Sequence, residues 1–590
     1  MPAQDPNVKA TFQPTFPEKL LVGSYHLINK FIPWHKLPSI LGALNLDALR
    51  VELRQYNLYD GYAAGESQGS SKSDPTPRRF ETARNSEGKY NDTAHPQMGC
   101  SGIRFGRNFP RELTPAPSEE SLRNPDPRML SERFMKRHEF KPATTLNLLA
   151  AAWIQFQTHD WFFHESSDEN IDVPLSESDS WPHGKMEFPK TKPDEVLSPL
   201  DTDAQATRIP TRLDGKLLLQ KDGRESFLPR DAEGNVLTGF SNNWWIGMEM
   251  LHTLFAMEHN TICDMLRSNH PDWPGDKVFD TARLVNCALM AKIHTVEWTP
   301  AILAHPTLKL APRSHLEDLG AISGIPGSGV NQFGVPYSMT EEFVSVYRMH
   351  SLIPDSIAFF ESSSGEHKST IPTSETLFTN AQHPLDSGLS FADTFYSFGI
   401  NYPGAITNNN YPAFLRDLTL PDGTHRDMGT VDLLRDRERG VPRYCNFRRL
   451  LRMTVPKTFL ELTGGNQKLA DELADAYDNN IELVDALVGS HSEPLPKGFG
   501  FSDTAFRIFI LMASRRLKSD RFIAGEWNAE TYSKEGLDWV QNTGMKDVLG
   551  RHFPGLKEVL KESENVFAPW KMMQGSRGYG GIETNAPKTK

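Results

Sequence analysis

Four long stretches of the chain repeat apolar residues with a helical period. They are TTLNLLAAAWIQFQTHDWFFHE (144–165), NWWIGMEMLHTLFAMEHNTICDMLR (243–267), DTARLVNCALMAKIHTVEW (280–298) and TAFRIFILMASRRLKSDRFI (504–523). Gly247 is the one helix-weakening residue inside them, so each predicts a long helix. A shorter segment, SMTEEFVSVYRMHSLIPD (338–355), opens on the S-x-x-E box of Ser338 and Glu341 and closes on Pro354. A helix there puts Phe343, Val346, Tyr347 and His350 on one face. DGKLLLQKDGRESFLPRDAEGN (214–235) reads as a short hairpin. Two stretches lack a sustained period and read as loops: one rich in Gly, Ser and Pro at 65–89, and one acidic and then Pro-rich at 165–203. No internal repeat is present. The pattern predicts a mainly α fold: an N-terminal helical region and polar loop over 1–80, then one large domain over 81–590.

The segment KLLVGSYHLINKFIPWHKLPSILGAL (19–44) mixes Leu, Ile, Phe and Trp with Lys and His. That composition suits a helix lying at a membrane interface, and equally a packed N-terminal helix. No run of about twenty uncharged apolar residues exists, and the N-terminus has no apolar signal core, so a secreted or membrane-spanning chain is not expected. The net charge of −12 argues against a nucleic-acid partner. The four cysteines, Cys100, Cys263, Cys287 and Cys445, form no C-x-x-C pair and read as free thiols of a reducing, cytoplasmic compartment.

The chemistry is concentrated in two apolar segments. One carries Tyr347 and His350, the other Gln155 and His159. Buried phenol and imidazole groups need partners. Core residues bonded to nearby carbonyls satisfy that requirement. A pair of histidines facing one iron also satisfies it, one as axial ligand and one as acid/base group for peroxide. A zinc hydrolase is the rival, but no H-E-x-x-H helix occurs, and His159 and His164 fall on different helix faces. GIPGSG (324–329) follows no clear strand and carries no Lys, so it reads as a turn rather than a phosphate loop.

In their order along the chain, QFQTHDW, LHTLFAMEHN, VSVYRMHSL and RDRERGVPRYCNFRR resemble the animal haem peroxidase and cyclooxygenase superfamily. KIHTVEWT, GVPYSMTEEFVSVYRMHSLIPD and MASRRLKSDRF narrow the resemblance to the fatty acid α-dioxygenases, over about Leu20 to Asn565. The resemblance implies a helical fold around a buried haem b. His350 matches the proximal iron ligand, His159 the distal histidine and Gln155 the distal glutamine. Tyr347 matches the tyrosine that becomes a radical, and Asn410 the asparagine that orients the proximal imidazole. His294, Thr299 and Arg516 match the residues that hold a fatty acid carboxylate, which places C2 of the substrate against Tyr347. Thr158 stands where relatives with ester-linked haem carry Asp, so the haem is expected to be non-covalent. SNNWW (241–245) lacks the distal Arg of the halide-oxidising branch.

One departure concerns calcium. The family's T-x-W-x-D-x-S loop is missing after the distal segment, so Asp160, which matches the remaining side-chain ligand, lacks its partners. Ca²⁺ takes six to eight oxygens, and Glu165, Asp168 and Asp201 are the replacement candidates. The expected reaction joins a fatty acid to O₂ as a 2-hydroperoxy acid, with H₂O₂ or another peroxide as activator. The alternatives are a peroxidase of small molecules and an inactive haem-binding homologue. The expected location is cytoplasmic, with peripheral membrane or lipid-body contact through the N-terminal region.

Overall fold

The computed structural model describes residues 8–9, 12–60, 76–93, 96, 99–101, 105–115, 117–159, 164–196, 209–223, 225–238, 241–310 and 339–577. It is 52% helix and 11% strand, the mainly helical architecture that the periodicity predicts. Helices α1 (Phe16–Asn29) and α2 (Ser39–Tyr56) lead into α3 (Leu148–Thr158), α4 (Ile246–Asn269), α5 (Gly275–Ile293), α6 (Glu341–Val346), α7 (Phe391–Ile400), α8 (Met428–Glu438) and α9 (Asp503–Ser519), with shorter helices between. α4 is the central element, packed against α3 and α5. Its first eleven residues are all buried; most are apolar, and the buried Glu249 among them is held by Arg230, Trp244 and Gln382. One continuous core runs from Trp34 to Trp570. At Gly247 an added Cβ would collide with the indole of Trp245. The lone glycine therefore lets that ring lie against the start of α4.

The strands are antiparallel pairs on the helical body. Of the stretch 165–203, the described residues, up to 196, do not form the irregular loop expected from their composition. His164–Val173 (β1) and Met186–Val196 (β2) make a hairpin, with Ile171 opposite Phe188 and Val173 opposite Met186. These four side chains sit on one face and are buried with Trp181, Val431 and Leu434. Two apolar positions per strand, two residues apart, suffice once α8 supplies the other half of the cluster. The second hairpin forms as expected, from Gln220–Asp222 (β3) and Glu225–Phe227 (β4). Ser356–Phe360 pairs with His367–Pro372 (β5 and β6), and Leu418–Thr419 with His425–Arg426 (β7 and β8).

The segment around Tyr347 is shorter than its pattern predicts. The N-cap of α6 is Thr340, whose hydroxyl accepts from the Phe343 N–H; Ser338 lies outside the described residues. The helix closes at Tyr347, and His350 begins a separate 3₁₀ turn. Arg348, between them, reaches two buried carboxylates, Asp432 at 3.0 Å and Asp436 at 2.9 Å. Buried charges need such partners, which fixes the chain here regardless of helical period.

Candidate active site

Tyr347, His350, Gln155, Thr158 and His159 line one cavity of about 380 Å³. Segments nearly two hundred residues apart in the chain thus meet at one cavity. His159 caps the C-terminal end of α3. Its Nδ1 lies 3.0 Å from the Asn243 side-chain oxygen, and the Asn243 amide donates to the His159 carbonyl, which fixes the amide's orientation. Nδ1 is then the protonated nitrogen, and Nε2 carries the lone pair. Nε2 is buried and has no hydrogen-bond partner among the described residues. Burial pushes the His159 pKa down to about 4, opposed by the bond to Asn243. The ring is therefore neutral near pH 7 and able to accept a proton. Gln155 accepts from Trp245 Nε1 at 2.7 Å and donates to the Asn243 carbonyl at 2.9 Å.

On the same cavity, His350 Nδ1 donates to Asp432 at 2.7 Å. Nε2 remains as the ring's only other donor atom. Asp432 is fully buried and also accepts from the Tyr411 hydroxyl at 2.8 Å. Burial raises this carboxyl, but His350 and Arg348 more than offset it and hold it below its ordinary range. Asn410 does not orient the imidazole. Its side-chain oxygen accepts from Arg137 and from the Lys141 N–H, and its amide donates to the carbonyls of Lys141 and Ala405. All of its capacity goes to tying loops together, and Asp432 takes the expected place.

Tyr347 packs against Phe343 (ring centroids 4.3 Å) and Phe509 (6.1 Å). Burial raises its phenol well above the ordinary value, and the nearby Arg516 guanidinium opposes that rise. Arg516 and Phe509 are seven apart on α9 and so share a face. Phe509 also meets Trp298, at 6.4 Å, and Trp298 stacks on His294 at 4.6 Å. His294 Nδ1 accepts from Trp153 Nε1 at 3.3 Å, which leaves Nε2–H as a donor, and burial pushes its pKa down to about 4. Thr299 spends its hydroxyl on the His294 carbonyl at 2.9 Å, within the π-helical turn that follows α5.

The Thr158 hydroxyl turns back to the Ile154 carbonyl. Among the described residues lining the cavity no carboxylate occurs, and Arg426 is the one cation. Asp160 and Asp201 lie outside the described residues, and Asp168 is exposed on β1. Sequence reasoning missed Asn243, Trp245 and Asp432. Asn243 and Trp245 stand inside SNNWW, a stretch whose sequence signal is the missing arginine alone. Asp432 gives no signal, because Asp at mid-helix does not announce its partner.

The animal haem peroxidase family matches residues 83–208 and 201–567. The two pieces meet where the T-x-W-x-D-x-S loop is missing. An α-dioxygenase PIOX of Oryza sativa subsp. japonica is 34% identical, covering 96% of this chain and 98% of its own. α-Dioxygenase 1 of Arabidopsis thaliana is also 34% identical, covering 94% and 92%. The crystal structure of a tyrosine-to-phenylalanine variant of Oryza sativa fatty acid α-dioxygenase with palmitic acid superposes with a TM-score of 0.86, at 33% identity over 95% of this chain and 98% of that one. With two histidines and a tyrosine about one cavity, and with likeness along nearly its whole length, this chain belongs to the animal haem peroxidase family, in its α-dioxygenase branch, and is an oxidoreductase.

Proposed function

We propose that the chain is a fatty acid α-dioxygenase that uses a non-covalent haem b, its substrates a fatty acid and O₂ and its product a 2-hydroperoxy fatty acid. The observation that carries this reading is the placement of Tyr347, which lines the His159–His350 cavity and at the same time lies beside Arg516. The residues fit a haem. His350 Nε2 is left to bind iron once Asp432 holds Nδ1, an arrangement common behind ligating histidines. His159 Nε2, a buried acceptor with no hydrogen-bond partner among the described residues, lines the same cavity, and the Arg426 guanidinium there would offer a haem propionate its counter-charge. The described residues that line the cavity include no carboxylate, and Thr158 has no carboxylate to form an ester, which supports non-covalent attachment. When bound and oxidised by H₂O₂ or another peroxide, the haem supplies the oxidising power that draws an electron from Tyr347.

The chain's own residues do the rest. His159 Nε2 accepts a peroxide proton, and its neutral state suits it to that task. Tyr347 loses one electron and its phenolic proton and becomes a phenoxyl radical. The radical takes a hydrogen atom from C2 of the fatty acid, which restores the phenol, and O₂ adds to the carbon radical. The peroxyl radical so formed takes the hydrogen atom back from the Tyr347 phenol, which gives the hydroperoxide and regenerates the phenoxyl radical. Arg516 and the His294 Nε2–H bind the carboxylate, so the neighbouring carbon is the one presented to Tyr347. Thr299 acts by fixing the turn that carries His294, since its hydroxyl is already bonded to the backbone.

Arg516→Ala is expected to lower kcat/KM for a saturated fatty acid mainly through KM. The lost charge-assisted bond is worth about 1.5–3 kcal/mol, roughly 10- to 150-fold. Haem content should not change. Equal rates on the free acid and its methyl ester in the unaltered enzyme would refute the anchor.

The N-terminal region supports a peripheral contact with lipid. No described helix is long and apolar enough to cross a membrane. Tyr25 is the one buried residue of α1, whereas Phe16 and Phe31 are each 80% exposed and Ile40 is 70% exposed. The exposed Lys19, Lys30 and Lys36 stand among them. An apolar face rimmed by lysines matches an anionic lipid interface. The enzyme should co-sediment with phosphatidylcholine–phosphatidylserine vesicles, and a Phe16→Ser, Phe31→Ser, Ile40→Ser variant should stay in the supernatant. Equal sedimentation of the two proteins would remove this role.

A further inference from the structure

His183, Asp417 and His425 bring three ligand atoms within 4.8 Å of one another, and they do so outside the site described above. His183 sits in the turn joining β1 to β2. Asp417 directly precedes β7, and His425 opens β8. The cluster therefore joins two hairpins that are distant in the chain. We propose that it is a binding site for a transition-metal dication of the zinc class.

The geometry converges on one oxygen. Asp417 Oδ1 is 2.7 Å from His183 Nε2 and 3.8 Å from His425 Nδ1. A tetrahedral centre with bonds of about 2.0–2.2 Å separates its ligand atoms by roughly 3.3 Å, between those two values. The Thr419 hydroxyl lies 3.1 Å from His425 Nδ1, so this hydrogen bond must open before that nitrogen can bind an ion. The two imidazoles stack at 3.4 Å and 12°. Loading therefore needs one ring to rotate out of the stack, and both are partly exposed, with room to do so. Solvent reaches the cluster and can supply a fourth ligand. Two imidazoles and one carboxylate suit zinc-like ions and disfavour Ca²⁺ and Mg²⁺, which prefer oxygen alone.

The site bears on the cavity. Leu418, Leu420 and Arg426, from the same β7–β8 hairpin, line its wall. On the other side His183 packs edge-on against the buried Trp181 at 5.0 Å. An ion held here fastens the outer wall of the cavity to the β1–β2 hairpin.

The test uses the full-length haem-loaded enzyme, stripped with EDTA and equilibrated with zinc chloride. Bound zinc is then counted by elemental analysis. His183→Ala, His425→Ala and the double variant are compared, and each must match the parent in haem content and far-ultraviolet circular dichroism. The expected result is one zinc per chain more in the parent than in the double variant, with each single variant losing most of it, since three protein ligands are the usual minimum for a zinc site. Linkage then requires zinc to raise the melting temperature of the parent and not of the double variant. Equal zinc content in parent and double variant overturns the site, whether both bind or neither does. If the histidine variants do not match the parent fold, Asp417→Asn, which keeps the side-chain shape, replaces them under the same criterion.

Discussion

Tyr347→Phe is expected to bind haem and react with peroxide, yet to form no 2-hydroperoxy fatty acid. The hydrogen atom leaves C2 for a phenoxyl oxygen, and phenylalanine has none to offer. The ring contacts with Phe343 and Phe509 remain, so the fold should lose no more than one hydrogen bond, about 1 kcal/mol. His159 and its bond to Asn243 are untouched, so proton acceptance from peroxide survives. Product analysis with a saturated fatty acid under O₂, beside a stopped-flow record of the Soret band with peroxide, separates the two steps. Oxygenation at the parental rate would leave Tyr347 as a packing residue. A simple peroxidase would then be the better reading.

The second large effect is expected at His350. His350→Ala removes the only nitrogen that Asp432 aims into the cavity, so most of the haem should be lost on purification. Asp432 keeps Arg348 and Tyr411 as partners, so the buried carboxylate is not stranded and the chain should still fold. Haem per chain by the pyridine haemochrome, with circular dichroism as the folding control, measures this. Full haem content with an unchanged Soret spectrum would transfer the ligand role to another residue.

Much of the fold and part of the site are legible along the chain. Helical period is a local property. The long apolar runs at 243–267 and 504–523 therefore announce α4 and α9, and Gln155 and His159 are visible as two polar groups one turn apart. Near Tyr347 the same rule overreaches. Period alone joins Tyr347 and His350 in one helix, but the pull of Asp432 and Asp436 on Arg348 ends it between them. The bonding of Asn410 is hidden from the sequence for a related reason. Its amide has several backbone carbonyls within reach, and which of them it bonds depends on loops that meet only in the folded chain.

By itself the sequence determined the helical class, the two histidine-bearing segments and the tyrosine beside one of them, because each is written in residues a few positions apart. Tertiary structure alone decided the partners. Asp432 lies 82 positions from His350, and Asn243 lies 84 from His159. The β1–β2 hairpin waited on α8 to bury its apolar face, and His183 meets Asp417 across 234 positions. A hydrogen bond or an ion site constrains where atoms stand in space and leaves no period in the chain. Long-range pairing of this kind is settled by packing and by the penalty for burying a polar group without a partner.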